Sequence, residues 1–242
     1  MDIVEITDNA NRHPWELSRT NCLLQIVKKY KLSDVYDIGA GDCYFTHNLL
    51  SVISGTIYAV DKGFTTQKDH AKSIQYLNSI SELPCRSEKV GVLLMDVIEH
   101  VEDDSEFLKE IICKIPVGSF VLITVPAYQF LFSGHDKYLQ HYRRYNKKQI
   151  LNLIAKYNVQ IHSSHYFYFI LFLFRCVSKI LSPTKFKSIQ SNLGLWQYTE
   201  NNIITKIIKT VLNIDFNICK TLANLKIYLP GLSYLILCEK KT

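Results

Sequence analysis

The stretch VYDIGAGDCYF, residues 35–45, joins a short apolar run to an acidic residue and a Gly-x-Gly turn, and a second carboxylate, Asp61, follows at a telling distance. Val35, Tyr36 and Ile38 suit a buried strand, and Gly39 and Gly41 let the backbone turn sharply and approach a ligand more closely than any residue bearing a side chain. A helix is expected to start near Asp42. Residues 57–60 read as a second strand ending at Asp61, about 20 residues beyond the glycines, where a carboxylate can accept hydrogen bonds from ribose hydroxyls. This is the pattern of a nucleotide-type cofactor site. The dinucleotide version wants a third glycine at position 44, where this chain has Tyr44, which makes a nicotinamide dehydrogenase the minor reading.

A second constellation lies in HDKYLQHYRRY, residues 135–145, where acid, base and two guanidinium forks fall within one short segment. His135, His141 and, after the preceding strand, His100 are candidate general bases, with Asp136 able to orient an imidazole or to serve itself. Arg143 and Arg144, with Tyr145 beside them, form a candidate substrate-binding group, because a guanidinium can hold a carboxylate or phosphate bidentately. One of the arginines could equally pair with the acidic run Glu102, Asp103 and Asp104, and each histidine alone is as consistent with a surface or structural role. Glu99 and His100 are adjacent, but two ligands do not make a metal site, and none is expected.

These residues need a scaffold that brings distant loops together. The apolar pattern predicts a helix over 15–29, strands near 35, 57, 75, 91 and 120, and a helix over 103–114 with Phe107, Leu108, Ile111 and Ile112 on one face. Such alternation gives an α/β fold with a doubly wound, mostly parallel sheet, in which ligands sit outside the carboxyl ends of the strands. That rule gathers Gly39, Asp61, Asp96 and Pro126 around one crevice. Residues 232–238 read as a closing strand.

At this point the chain resembles the class I S-adenosylmethionine-dependent methyltransferases. Their first motif, acidic-x-Gly-x-Gly-x-Gly, falls on Asp37, Gly39, Gly41 and position 43, where a cysteine replaces the third glycine. SISELPCRSEKVGVLLMDVIEHVEDDSEFLKEI (79–111) looks like the family's third and fourth strands, and LITVPAYQFLFSGHDKYLQHYRRY (122–145) looks like a subfamily with a proline turn after strand five. NRHPWELSR (11–19) is similar to the lead-in of some members. The resemblance is good over about residues 11–160 and loose beyond. It implies a seven-stranded Rossmann-like methyltransferase fold with a helical C-terminal insertion. It also implies S-adenosyl-L-methionine as cofactor, held by Asp37, Gly39, Ala40, Gly41, Asp61, Lys62, Ser79, Ile80 and Asp96. Asp37, Gly39 and Gly41 would take the methionine end, Asp61 the ribose, and Ser79 with Ile80 the adenine edge, while Asp96 would border the methyl group. At position 43 a small side chain is expected to fit, with no need of a positive φ.

Composition sets outer bounds. With 242 residues, 48% of them hydrophobic, the chain can bury a substantial core without staples. The seven cysteines are odd in number and contain no C-x-x-C pair, which disfavours a disulfide framework and fits a reducing, cytoplasmic compartment. The N-terminal residues carry acids and no apolar run, unlike a secretory signal. Charge is divided sharply: residues 1–136 hold 12 Lys/Arg against 19 Asp/Glu, net −7, and residues 137–242 hold 16 against 3, net +13, together the +6 of the chain. A basic half next to a site attracts anions, which favours a small-molecule or lipid-linked anionic acceptor such as a glycan or quinone-type intermediate, or an anionic membrane surface. The sequence DVIEH after strand four and the absence of a recognisable RNA-binding module argue against nucleic acid.

The expected organisation is a cofactor-binding core over 1–164, a helical lid over 165–225 and a closing strand within 226–242. YFYFILFLF, residues 166–174, is too short to span a bilayer. Ile203, Ile204, Ile207, Ile208, Val211 and Leu212 form a helical stripe expected to cover the core or a homodimer partner, with peripheral contact at the inner face of the membrane as the other reading. The expected activity is O-methylation. A catalytically silent S-adenosylmethionine-binding partner protein and a peripheral membrane module stay open beside it.

Overall fold

Five short runs rich in Val, Ile and Leu become the parallel strands β1 (Asp34–Ile38), β2 (Ile57–Val60), β3 (Ile74–Leu77), β4 (Val90–Met95) and β5 (Phe120–Pro126). In this computed structural model, which describes residues 12–64, 73–181, 183 and 202–242, two further strands complete the sheet: β6 (Val159–Phe167) and β7 (Ser233–Lys240). The order is β3-β2-β1-β4-β5-β7-β6, with β7 antiparallel to both β5 and β6. Every residue of β4 is buried, as a central strand covered on both faces requires.

Helices cover both faces. On one, α1 (Pro14–Lys29) and α2 (Tyr44–Leu49) pack Cys22, Leu23, Ile26, Phe45 and Leu49 against Val35, Ala59 and Leu93. On the other, α3 (Asp104–Lys114) and α5 (Lys147–Ile154) pack Leu108, Ile111, Ile150 and Ile154 against Tyr36, Val92 and Ile123. The short α4 (Gly134–Tyr138) lies between β5 and α5. Caps explain the boundaries: Pro14 opens α1, Asp103 accepts from the Glu106 N–H at 2.9 Å to start α3, and Asn146 with Gln149 forms a capping box on α5. The sheet is therefore doubly wound, and its order reverses between β1 and β4, where the carboxyl ends open a crevice.

The C-terminal third differs from expectation in two places. The sheet strand β6 continues to Phe167, past residue 165 where the lid was expected to start, because His165 and Phe167 pack edge-on against Phe216 while pairing with Leu235 and Ser233. Among the described residues two helices follow, α6 (Phe169–Leu181) and α7 (Ile203–Asn224); residues 182 and 184–201 of the expected lid lie outside the described residues. The stripe expected to be the inward face of α7 is mostly turned out: Ile203 is 71% exposed and Ile207 57%, and only Leu212 of the six is buried. The face that packs inward carries Thr205, Leu212, Asp215, Phe216 and Cys219. On this face Asp215 accepts from the Ile170 N–H at the start of α6 at 3.3 Å, a hydrogen bond that an apolar residue could not make. Among the described residues no helix is long and apolar enough to cross a membrane.

Candidate active site

The glycine turn is pinned to the next strand. The N–H groups of Gly39 and Ala40 both donate to the Val60 carbonyl, at 2.8 and 3.1 Å, which folds the turn over the end of β2. Gly39 (φ 75°) and Gly41 (φ 57°) occupy the left-handed region, and a Cβ at Gly39 would stand 2.6 Å from Val97 Cγ2. Asp61 closes the turn from the other side: Oδ2 accepts from the Gly41 N–H and Oδ1 from the Gly63 N–H, both at 2.8 Å. Its carboxylate is thereby fixed at the crevice mouth with lone pairs to spare for a ligand hydroxyl. Lys62 next to it is exposed.

Position 43 departs from expectation. Cys43 has φ 65° and stands as the N-cap of α2, so the backbone there does adopt the left-handed conformation that a glycine would accept without strain. The thiol is buried, packed in the cluster that holds Phe45 and Leu49, which compensates for part of the strain.

Asp37, at the end of β1, is buried beneath the turn. Its Oδ2 accepts from Thr46 Oγ1 at 2.6 Å, and Oδ1 has no hydrogen-bond partner among the described residues. Burial pushes its pKa up to about 6, against the opposing Thr46 hydrogen bond. Oδ1 belongs to a carboxylate at the wall of a cavity of about 20 Å³ lined by Glu16, Arg19, Asp37, Gly39, Tyr44 and Met95 among others. Arg19, on α1, reaches this cavity while pairing with Asp96 and lying over the Trp15 ring, with its guanidinium carbon 4.8 Å from the centroid. Asp96, itself left-handed at φ 55°, also accepts from Thr124 Oγ1 at 3.2 Å. Arg12 pairs with Asp42 and lies 4.4 Å over the Tyr44 ring, so α1 and its lead-in close one side of the crevice.

The fold thus brings Asp37, Gly39, Ala40, Gly41, Asp61 and Asp96 to one place. Ser79 and Ile80 lie at the start of a 3-10 turn directly after β3, with Ser79 exposed and the Ile80 carbonyl accepting from Lys114 Nζ at 3.0 Å. Arg19, Arg12, Glu16 and Thr46 were not singled out by sequence reasoning. A signal existed for Arg19: it shares the stripe of Leu23 and Ile26 at helical spacing, and an arginine on a buried stripe needs a partner.

The second constellation is tightly tied within the protein. Asp136 is wholly buried at the start of α4, where its Oδ2 accepts from Ser133 N and Oγ at 2.8 and 2.9 Å and its Oδ1 from Arg144 Nε at 2.6 Å. His141 Nδ1 lies 3.1 Å from the same oxygen. Burial alone would raise the Asp136 pKa, but the hydrogen bond to His141 and the pairing with Arg144 outweigh it and hold the carboxyl well below its ordinary value. Arg143 does meet the acidic run, donating to Asp104 Oδ2 at 3.1 Å and to the Glu102 carbonyl at 2.6 Å, and Tyr145 donates to Asp104 at 2.7 Å from a buried position. The HYRRY segment is therefore a strap fastening the loop after β5 to the loop after β4. His100 and His141 come together, ring centroids 4.6 Å apart, whereas His135 sits on α4, where burial and then the charge of Arg175 lower its pKa.

Several solved structures share this fold. A putative methyltransferase from Bacillus halodurans aligns with TM-score 0.54 and 15% identity, over 93% of this chain and 100% of that one. The Haemonchus contortus phosphoethanolamine N-methyltransferase 2, solved with S-adenosyl-L-methionine, aligns with TM-score 0.53 and 16% identity over 94% of this chain, which spans only 53% of that one. The small RNA methyltransferase HEN1 gives TM-score 0.55 and 15% identity over 98% of this chain and 27% of its own. No family model and no curated protein sequence matches the chain. The protein has the fold of the class I S-adenosylmethionine-dependent methyltransferases: a seven-stranded, mostly parallel sheet with flanking helices. That fold carries acceptors as different as a small phosphorylated amine and an RNA, so it does not choose the acceptor.

Proposed function

We propose that the protein is an S-adenosylmethionine-dependent methyltransferase acting on an oxygen of a small or lipid-linked anionic acceptor. The observation that carries this reading is the convergence of Asp61, closed onto the Gly41 N–H, with Asp37 and Arg19 on the cavity beneath the same turn. A donor of this kind has a ribose with two hydroxyls at one end and a methionine zwitterion at the other. Asp61 offers acceptors for the hydroxyls. Asp37, whose Oδ1 has no hydrogen-bond partner among the described residues, would receive the ammonium, and Arg19 the carboxylate. Ser79 and Ile80 would border the adenine.

Methyl transfer requires the acceptor oxygen in line with the sulfonium methyl, and the oxygen gives up its proton as its bond to the methyl carbon forms and the carbon–sulfur bond breaks. His100 and His141, whose ring centroids lie 4.6 Å apart after β4 and β5, would take that proton. The anionic class of acceptor is supported by the net +13 of residues 137–242. The lipid-linked option is supported by the outward apolar faces of α6 and α7, with Phe174, Ile180, Ile203 and Ile207 all more than half exposed beside Lys179, Lys206 and Lys209.

Titration calorimetry with S-adenosylmethionine, S-adenosylhomocysteine and NAD tests the donor assignment. Binding of the two adenosyl compounds and not of NAD, weakened in Asp61→Ala, is the expected result. Failure of both to bind would overturn it.

A further inference from the structure

Sequence spacing offers Glu99 and His100 as an isolated pair of metal-ligating types, but the fold adds a third member from a different loop. The strap that docks the loop after β5 onto the loop after β4 carries His141 against this pair: the Tyr142 N–H donates to the Glu99 carbonyl at 2.8 Å, one residue beyond His141. One ligand atom each from Glu99, His100 and His141 can be chosen so that all lie within 4.8 Å of one another. Tetrahedral or octahedral ligands around a cation held at about 2.0–2.2 Å stand some 3–4 Å apart, so a modest inward movement of side chains completes such a set.

Three features make this more than a chance cluster. The donor set is mixed, with two imidazoles and one carboxylate, the composition that suits divalent first-row transition metals. His141 is held in the manner of a metal ligand, with Nδ1 on the buried carboxylate of Asp136, which fixes ring and tautomer and aims Nε2 away from the carboxylate. Asp136 in turn is locked by Arg144 and Ser133, so that orientation belongs to the fold and not to a mobile side chain. Glu99 is fully buried, and a carboxylate in such a place is stabilised by a nearby cation. His100 and His141 are half-buried, so the cluster is not sealed within the core.

We propose that Glu99, His100 and His141 form a binding site for a divalent transition-metal cation, with Asp136 as the residue that positions His141. Three protein ligands leave at least one coordination position open. If the methyl-transfer reading holds, that position would take an oxygen of the acceptor and lower its pKa; both imidazoles would then be committed as ligands, and the proton would leave to solvent instead of to His100 or His141. This consequence rests on that reading, but the site itself does not.

The test is therefore metal binding, without donor or acceptor. Tag-free protein stripped with a chelator is titrated with Co²⁺ and followed by visible absorption, and Zn²⁺ is then added as competitor. The expected result is one Co²⁺ per chain with the intensified absorption of a low-coordinate nitrogen-ligated ion, displaced by Zn²⁺. In His100→Ala and in Glu99→Gln the affinity falls at least about tenfold. His100→Ala alters a half-buried side chain, and circular dichroism is used to check that it folds. Co²⁺ absorbing only as the hydrated ion, or a spectrum unchanged in both variants, would overturn the proposal whatever the outcome with S-adenosylmethionine.

Discussion

The Gly41 N–H donates to Oδ2 of Asp61 at 2.8 Å, so the glycine turn after β1 and the carboxylate after β2 form one rigid unit at the reversal of strand order. Asp61→Ala removes both the proposed ribose acceptor and this tie. The expected loss of S-adenosylmethionine affinity is about 10- to 100-fold, the worth of one or two hydrogen bonds to a charged group, measured by calorimetry. Asp61→Asn keeps an acceptor oxygen and should lose less.

Gly39→Ala tests the turn itself. The new Cβ meets Val97 Cγ2 at 2.6 Å and must also adopt φ 75°, which for an L side chain costs about 1–2 kcal/mol before the clash is counted. Urea unfolding should show the full loss in the single variant. In Gly39→Ala with Val97→Ala, the steric part is relieved and the strain of about 1–2 kcal/mol persists. Equal stability of wild type and Gly39→Ala would contradict this account.

Asp37 gives a pH signature. Its pKa in the folded protein is raised to about 6, above that of the unfolded chain, so the group favours folding most at low pH and the contribution is lost as pH rises through about 6. A bound ammonium reverses the preference by stabilising the carboxylate. Donor affinity should accordingly rise as pH is increased through about 6, with proton release on binding in calorimetry, and Asp37→Asn should flatten that rise. An affinity independent of pH between 5 and 8, roughly the span over which such a group titrates, would remove the ammonium from Asp37.

The buried pair of Asp136 and Arg144 behaves in the opposite sense. Asp136 is held below its ordinary pKa, so its contribution is present above the unfolded-chain value of about 3.9 and is lost as pH falls below it. Arg144→Ala leaves a buried carboxylate with fewer partners and should cost about 3–5 kcal/mol. Thermal or urea unfolding near neutral pH measures that loss; a change below about 1 kcal/mol would mean the pair is solvated.

How legible all this was in the sequence depends on the kind of signal. The strands near 35, 57, 75, 91 and 120 and the helix over 103–114 were readable because one dominant period governs each: continuous apolar runs for buried parallel strands and a single apolar face for α3. The turn residues were readable because a Gly-x-Gly pair after an apolar run marks a backbone that turns in the left-handed region, as it does at 39 and 41. Cys43 was misjudged because nothing local marks a left-handed residue that a cysteine tolerates. In α7 the apolar residues occupy more than one face, and the inward one carries Asp215, which accepts from the Ile170 N–H of α6, a long-range contact that no periodicity records. For HDKYLQHYRRY the residue types were visible but their partners were not: an acid and two arginines on one loop satisfy one another and a neighbouring loop before any ligand arrives. The nearness of His141 to Glu99 likewise exists only in three dimensions.

The last prediction concerns the outward face of α6 and α7. Phe174, Ile180, Ile203 and Ile207 are more than half exposed, and nearby Lys179, Lys206 and Lys209 supply positive charge, the pairing of apolar face and basic flank that binds an anionic interface. Sedimentation with vesicles containing phosphatidylserine should retain the wild-type protein more than neutral vesicles do, and added salt should weaken the retention. Replacing Ile203 and Ile207 by serine should reduce retention severalfold without loss of thermal stability, since both side chains already face outward. Retention that is unchanged by these substitutions, or equal on neutral lipid, would mean that the face serves a different purpose, and the lipid-linked acceptor would lose its structural support.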